Sequence, residues 1–322
     1  MTVSLVYTGI DVSKAYLDLF DPQWGASRIA NSGAALAALV ARCQAAGRFV
    51  VFEATGLYDL ALRHALEDAG VAHARLNPFF ARKFAGARGK KAKTDRIDAR
   101  MLQEFGQRMT PPERTPADRE REELALLVKR RDQLVAMRQQ EQVRRCECHD
   151  PAMVARIDRH LAVLNEETAG IETEIHDRIA ASANLKAAAA RLRSMPGVGE
   201  VTSAKLLAMM PELGRLKPGE VASLAGLAPF NNDSGGYHGK RCIKGGRKPV
   251  RDALYMVALT ASRMKNRFGS FYTKLRDKGK PAKVALTALA RKMLTVLNAM
   301  VREGKDWTKT DVLDKASAAP AA

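Results

Sequence analysis

Val6-Tyr7-Thr8-Gly9-Ile10-Asp11 and Phe49-Val50-Val51-Phe52-Glu53 are two apolar runs that each end on a carboxylate. A strand that finishes this way presents its acid at the edge of a sheet, and an ionised carboxylate beside four apolar residues needs a partner or a metal. A third stretch, Lys90-Lys91-Ala92-Lys93-Thr94-Asp95-Arg96-Ile97-Asp98, sets two aspartates three residues apart inside a run of cations. On a helix, positions i and i+3 face the same way. Asp11, Glu53, Asp95 and Asp98 are therefore four oxygen donors able to converge at one sheet edge. Such a set suits a pair of Mg²⁺ ions about 4 Å apart acting on a phosphodiester. Singly, each acid has a plainer reading: Asp11 as a turn or cap residue, Asp95 and Asp98 as charge balance in a basic helix. Their joint placement is what points to chemistry.

The rest of the composition agrees with a phosphodiester substrate. The 322 residues carry 53 Lys and Arg against 35 Asp and Glu, a net charge of +18, and the pI is near 10.0. An excess of that size favours a polyanionic partner, most often nucleic acid. Four cysteines, only two of them close together, make a poor disulfide framework. Cys146-Glu147-Cys148-His149 has metal-ligand residue types but no second pair at zinc spacing, and reads as helix-end chemistry. No N-terminal apolar leader and no run of 18 apolar residues is present, so the expectation is a cytoplasmic, nucleoid-associated protein without a membrane partner.

Element order sets the fold class. Residues 3–10, 15–21 and 26–31 read as strands, 33–46 as a helix, 49–53 as a strand, 57–69 as a helix and 72–76 as a strand, before a helix that carries Asp95 and Asp98. Three strands, helix, strand, helix, strand, helix is the order of a ribonuclease-H-like α/β domain, assigned to residues 1–105. Residues 106–118, with Pro111, Pro112 and Pro116, read as a linker. Two long helices follow over 119–184, broken at Asp150-Pro151. The second shows a heptad-like stripe of Ile157, Leu161, Leu164, Thr168, Ile171, Ile175 and Ile179. The pair is either an antiparallel coiled-coil arm or a helical hairpin packed on the domain. Residues 185–305 form a smaller, mostly helical domain, and the alanine-rich tail over 306–322 reads as disordered.

Two elements of the second half invite a nucleic-acid reading. Met195-Pro196-Gly197-Val198-Gly199 resembles a helix-hairpin-helix turn, in which Gly197 and Gly199 let backbone N–H groups approach a phosphate. The loop 229–249 holds Asp233-Ser234-Gly235-Gly236 and continues into Lys240, Arg241, Lys244, Arg247 and Lys248. Those cations, with Arg82, Lys83, Arg88, Lys90, Lys91 and Lys93 of the first half, are candidate phosphate contacts. Spacing alone does not nominate Ser234, since an Asp-Ser-Gly-Gly turn is ordinarily just a turn.

These residues, taken together, resemble the insertion sequence 110 family of transposases. The likeness runs over about residues 5–305: Tyr7 to Lys14, Glu53-Ala54-Thr55-Gly56 and Lys93 to Arg100 in the first half; Met195 to Gly199, Leu224-Ala225-Gly226-Leu227-Ala228-Pro229, Ser234-Gly235 and Arg251 to Met256 in the second. The resemblance implies a RuvC-like domain with the acidic tetrad Asp11, Glu53, Asp95 and Asp98, joined through a coiled coil to a transposase domain whose nucleophile is Ser234. It implies Mg²⁺ at the tetrad, two ions per site, and a phosphoserine link to DNA. It also implies an element-encoded guide (bridge) RNA that pairs with donor and target DNA, and homodimers that assemble into homotetramers. The loop after Ser234 departs from the pattern, reading Lys240-Arg241-Cys242-Ile243-Lys244-Gly245-Gly246 where some relatives carry Ser-Lys-x-Gly. Two other readings of the same residues stay open: a Mg²⁺-dependent Holliday-junction-type nuclease in which water attacks, and a non-catalytic RNA- or DNA-binding protein.

Overall fold

In a computed structural model, described over residues 5–87, 95–114, 116, 118–231, 233–234, 237–239 and 241–307, the chain divides into two units at Pro116/Ala117. In the first unit the order is β1 (Val6–Val12), β2 (Tyr16–Asp21), β3 (Gly25–Ala30), α1 (Gly33–Ala45), β4 (Arg48–Glu53), α2 (Leu60–Asp68), β5 (His73–Leu76), α3 (Pro78–Ala87) and α4 (Asp95–Met109). The sheet runs β3-β2-β1-β4-β5. β1, β2 and β3 pair antiparallel, whereas β1, β4 and β5 are parallel and joined through helices. This mixed α/β arrangement is consistent with the ribonuclease-H-like order expected from the sequence.

Strand alternation divides the sheet into two apolar faces. Ile10, Val12, Leu17, Leu19, Val50 and Phe52 pack with Leu36, Leu39 and Val40 of α1 and Leu62 and Leu66 of α2. The opposite face gives Tyr7, Phe49, Val51, Ala74 and Leu76 to Met101, Leu102 and Phe105 of α4 and Ala81 of α3. Two glycines let α4 lie directly on β1. A Cβ at Gly9 would stand 2.0 Å from the Ala99 carbonyl oxygen and 2.4 Å from the Gln103 nitrogen. A Cβ at Gly106 would stand 2.6 Å from the Tyr7 ring and 2.9 Å from a Val51 methyl. Gly106, assigned to a linker from sequence, is thus inside α4, and the helix stops only at Met109. The prolines drew the linker boundary too early. α3 was not foreseen, because Pro78 at its first turn and Gly86 near its end weaken the helical signal.

In the second unit α5 (Arg119–Glu147) starts at Asp118, whose side chain accepts from the Arg121 N–H. α6 (Pro151–Ala181) starts at Asp150, whose side chain accepts from the Met153 N–H. The two run antiparallel, as the ion pairs Glu123–Arg178, Arg131–Glu172 and Arg145–Asp158 require. The stripe on α6 faces inward: Leu164, Thr168 and Ile175 are buried, and Leu124, Val128 and Leu134 of α5 are buried likewise. At the base of the hairpin, Ile171, Ile175 and Ile179 join the core of the unit with Leu124 and Val128. That core also takes α7 (Ala183–Ser194), α8 (Glu200–Met209), α9 (Pro218–Leu224), α10 (Lys248–Ala261), α11 (Arg267–Asp277) and α12 (Ala282–Glu303). α12 is long and apolar enough to cross a membrane by length and composition. Its Leu289, Met293, Leu294 and Leu297 are, however, fully buried against Leu254, Val257 and Leu206.

The glycine contact makes a quantitative prediction. Gly9→Ala forces a methyl into helix backbone and is expected to destabilise the first unit by about 3 kcal/mol. Gly86→Ala, with open space around it, is expected to be neutral or stabilising by up to about 1 kcal/mol. Denaturant unfolding of both variants measures the difference.

Candidate active site

The acids of the first unit are brought together by register. Ile10 lies beside Phe52 in the parallel pair β1–β4, so Asp11 and Glu53 are the next residues on adjacent strands. Both project on the α4 face, since Tyr7 and Gly9 on β1, and Phe49 and Val51 on β4, meet α4 there. On the helix, Asp98 immediately precedes Ala99, whose carbonyl abuts Gly9 two residues before Asp11. Asp95 opens α4 one turn earlier. Asp11, Glu53 and Asp98 are each half-buried.

Neighbouring loops fix the two strand ends. Ser13 caps the β1–β2 turn, its hydroxyl donating to the Tyr16 carbonyl at 2.7 Å and accepting from the Tyr16 N–H at 3.1 Å. Asn31 donates to the carbonyls of Ser13 at 2.9 Å and Tyr58 at 3.1 Å, tying that turn to the loop after β4. Beyond Glu53, the Ala54 N–H donates to the Leu76 carbonyl at 2.9 Å, and Gly56 turns the chain at φ +75°. Asp59, 1 % exposed, accepts from the Thr55 N–H and from Arg75. The Glu53-Ala54-Thr55-Gly56 motif is therefore a braced exit that holds the carboxylate at the sheet edge.

The row of charge is longer than the sequence reading had it. Asp18 is the register partner of Asp11, and Arg28 that of Asp18. Glu53, Asp11, Asp18 and Arg28 thus run across four strands on one face. Asp18 is 4 % exposed and engaged by Arg28 through Nε–Oδ1 at 2.9 Å and Nη2–Oδ2 at 2.8 Å. The signal was present in the alternation of Tyr16-Leu17-Asp18-Leu19-Phe20, which puts Asp18 opposite the Leu17 and Leu19 face. The donor set of this face is made of hard oxygens, the chemistry that Mg²⁺ takes. Among the described residues, no three His, Cys, Asp or Glu side chains are already gathered into a metal cage.

In the second unit Ser234 stands on a small β finger rather than in the open loop expected from sequence. β6 (Pro229–Phe230) pairs with β9 (Cys242–Ile243), and between them β7 (Asp233–Ser234) pairs with β8 (Tyr237–His238) in the register Ser234–Tyr237. The finger is rooted by two arginines. Arg247 forms a double ion pair with Glu212 at 2.6 Å and donates to the Met209 carbonyl at 2.7 Å, while its N–H donates to the Leu224 carbonyl. Arg251 donates to the Gly245 carbonyl at 2.6 Å. Gly226 and Gly246 meet backbone to backbone, where a Cβ on Gly246 would lie 2.2 Å from the Gly226 nitrogen. This explains the glycines of Leu224-Ala225-Gly226 and Lys244-Gly245-Gly246.

The candidate phosphate contacts separate accordingly. Arg241, Lys244 and Lys248 are exposed, Lys248 pairing with Asp252 at 2.6 Å. Arg247 serves as an anchor, its guanidinium committed to Glu212 and Met209. Lys83 lies over the Phe79 ring and Arg82 donates to the Pro78 carbonyl. Gly199 caps α8 with open space about it, whereas Gly197, at φ +91°, packs toward Val257. Arg88, Lys90, Lys91, Lys93 and Lys240 lie outside the described residues. Arg247→Ala is expected to speed proteolytic cutting within 229–244 several-fold while leaving the α5–α6 hairpin as resistant as before, as read by timed digestion and mass spectrometry.

Comparison with known proteins follows the same division of the chain. Residues 8–149 match the family model of DEDD transposases of IS110 elements, described as a transposase. Residues 189–273 match that of the Transposase IS116/IS110/IS902 family. The Pilin gene-inverting protein of Moraxella lacunata is 27% identical over 319 residues, covering 95% of this chain and 99% of its own. The Insertion element IS110 uncharacterized 43.6 kDa protein of Streptomyces coelicolor is 37% identical over 116 residues, 35% of this chain and 28% of its own. The Insertion element IS116 uncharacterized 44.8 kDa protein of Streptomyces clavuligerus is 36% identical over 122 residues, 36% of this chain and 30% of its own. With residues 8–149 and 189–273 both matched to models of this family, the chain belongs to the IS110 family of transposases.

Proposed function

We propose that this transposase cuts and rejoins DNA with Ser234 as its nucleophile and with the Asp11, Glu53, Asp95 and Asp98 face as its metal-assisted electrostatic centre. The reading is supported by the adjacency of Asp11 and Glu53 on β1 and β4 and by the Gly9–Ala99 contact, which lays the helix that bears Asp98 on β1. A name such as pilin gene-inverting protein supports strand exchange over simple cutting, because inversion requires every cut end to be resealed. A covalent protein–DNA link preserves the energy of the broken bond for that resealing.

In this mechanism the Ser234 Oγ attacks a backbone phosphorus. The Oγ–P bond forms as the P–O3′ bond breaks, and the departing oxygen takes up a proton to become a 3′-hydroxyl. Resealing reverses the exchange with a different 3′-hydroxyl. Mg²⁺ held by the acids would act as a Lewis acid that neutralises charge developing on a phosphate. The acids of this chain hold and orient, and Ser13, Asn31 and Asp59 keep the two strand ends from moving. Exposed Arg241, Lys244 and Lys248 supply sequence-independent phosphate contacts near the finger. Sequence choice is assigned to an element-encoded guide RNA paired with donor and target DNA, and the working particle to homodimers pairing into a homotetramer in the cytoplasm; the family resemblance is the support for these.

A trapping assay tests the reading. Purified protein, Mg²⁺, RNA from the element's flanking noncoding sequence and end-labelled DNA are run on a denaturing gel. The expected result is label migrating with the protein, lost in Ser234→Ala and in Asp11→Asn. Free 5′-phosphate ends without an adduct would mean that water attacks and that the enzyme is a nuclease.

A further inference from the structure

Leu57, Tyr58, Phe79 and Phe80 stand in solvent at one edge of the first sheet. β4 and β5 are parallel, so the segments that leave them emerge on the same side, and Leu76, which ends β5, is the register partner of Glu53, which ends β4. The β4 exit carries Leu57 and Tyr58, 59 % and 48 % exposed, and the β5 exit carries Phe79 and Phe80, 57 % and 60 % exposed. α3 covers its inner face without those two phenylalanines. Ala81 is fully buried, and Phe84 meets Phe105 of α4 edge to face at 5.2 Å between ring centroids. Asn77 fixes the turn that bears the outer pair, its side-chain oxygen accepting from the Phe79 N–H and its carbonyl from the Phe80 N–H, both at 2.9 Å. The Phe79 and Phe80 rings lie 5.6 Å apart with 79° between their planes. Large apolar side chains grouped in solvent mark a surface that something covers.

Charge identifies the partner. Residues 77–94 hold six lysines and arginines and no acid. Arg82 and Lys83, one turn beyond the rings, are exposed, and the Lys83 Nζ stands 5.6 Å from the Phe79 ring centroid. Aromatic rings with cations alongside match a nucleic-acid strand whose bases are unpaired, since base faces stack on the rings while phosphates meet the cations. A duplex keeps its base faces inside its own stack. A second copy of this chain would bring like charge to the contact.

We propose that Phe79 and Phe80, with Arg82 and Lys83, form a stacking platform for unpaired bases of single-stranded DNA at the sheet edge where β4 ends in Glu53. The inference rests on the reading of the chain as an enzyme that cuts and rejoins DNA, and it names the form of DNA that this edge takes. Exchanging strands parts a duplex before new partners pair, and the parted bases need a surface in the interval. The ligand is DNA because a transposase works on DNA.

Fluorescence anisotropy of the full chain tests this, with labelled oligothymidylate, oligouridylate of equal length and a DNA duplex as probes, in EDTA so that no metal-dependent cutting intervenes. Phe79→Leu and Phe80→Leu keep apolar bulk and remove the aromatic face. Each is expected to weaken oligothymidylate binding about fivefold, as for the loss of one stacked base, and to leave duplex binding within about twofold. Phe79→Trp is expected to bind the single strand at least as tightly as the unmodified chain. Equal losses on single strand and duplex, or no loss on either, overturn the proposal. A loss confined to oligouridylate overturns it in favour of an RNA contact, and a smaller sedimenting particle in the leucine variants overturns it in favour of a contact between copies. Should a leucine variant fail to fold by thermal melting, Lys83→Gln decides: the platform predicts a salt-dependence slope on oligothymidylate shallower by about 0.7, and an unchanged slope contradicts it. Failure of the platform is distinct from failure of the serine mechanism. Normal single-strand binding by the leucine variants, with the protein–DNA adduct lost in Ser234→Ala, overturns the platform and leaves the nucleophile standing.

Discussion

The first unit depends on a place where two backbones touch. The carbonyl of Ala99 and the nitrogen of Gln103 occupy the space where residue 9 would carry its side chain. Any residue but glycine there would lift α4, the helix that bears Asp98, from β1. Gly106, two turns further on, makes the same allowance for the Tyr7 ring and Val51. The two glycines fix height and direction together. Acids proposed to work together from three elements would need that fixity, because misplacement by about 1 Å costs on the order of a hundredfold in rate.

Charge is the second constraint. Carboxylates on a half-buried sheet face cost free energy unless paired. The unit pairs each buried acid outside the tetrad with an arginine: Asp18 with Arg28, Asp21 with Arg48 at 2.9 Å, and Asp59 with Arg75. Glu67 sits among Arg63, His73 and Arg114, with Arg114 joined to β5 through its N–H to the His73 carbonyl. Asp21 also accepts from Thr8 at 2.7 Å and from the N–H groups of Gln23 and Trp24. These pairs hold the sheet and its loops in one arrangement.

Much of this was legible in the sequence because it is local. Strand alternation, helix periodicity and proline breaks gave the element order of the first unit apart from α3, and Asp150-Pro151 marks the start of α6. Asp11 and Glu53 stood out as acids at the ends of apolar runs, and Asp95 and Asp98 as a pair three residues apart in a basic stretch. What escaped depends on pairing between distant segments. Asp18 looked like an ordinary strand residue until register placed it against Asp11. Gly9 and Gly106 carry no local mark of a close approach, since Gly9 meets Ala99 and Gln103 while Gly106 meets Tyr7 and Val51, all far away along the chain. The finger bearing Ser234 consists of two-residue strands, too short for any periodicity to announce them. Arg247 read as one cation among several, and only the fold reveals its grip on Glu212 and Met209.

The central claim is that acids from β1, β4 and α4 form a single metal centre. Iron-directed cleavage tests it most directly: Fe²⁺ replaces Mg²⁺, ascorbate and peroxide generate hydroxyl radicals at the bound ion, and the backbone cuts are mapped by mass spectrometry. The account predicts cuts clustered near residues 11, 53 and 95–98 together, suppressed by excess Mg²⁺. Cuts at only one of these segments, or centred on Cys146 to His149 instead, would contradict it.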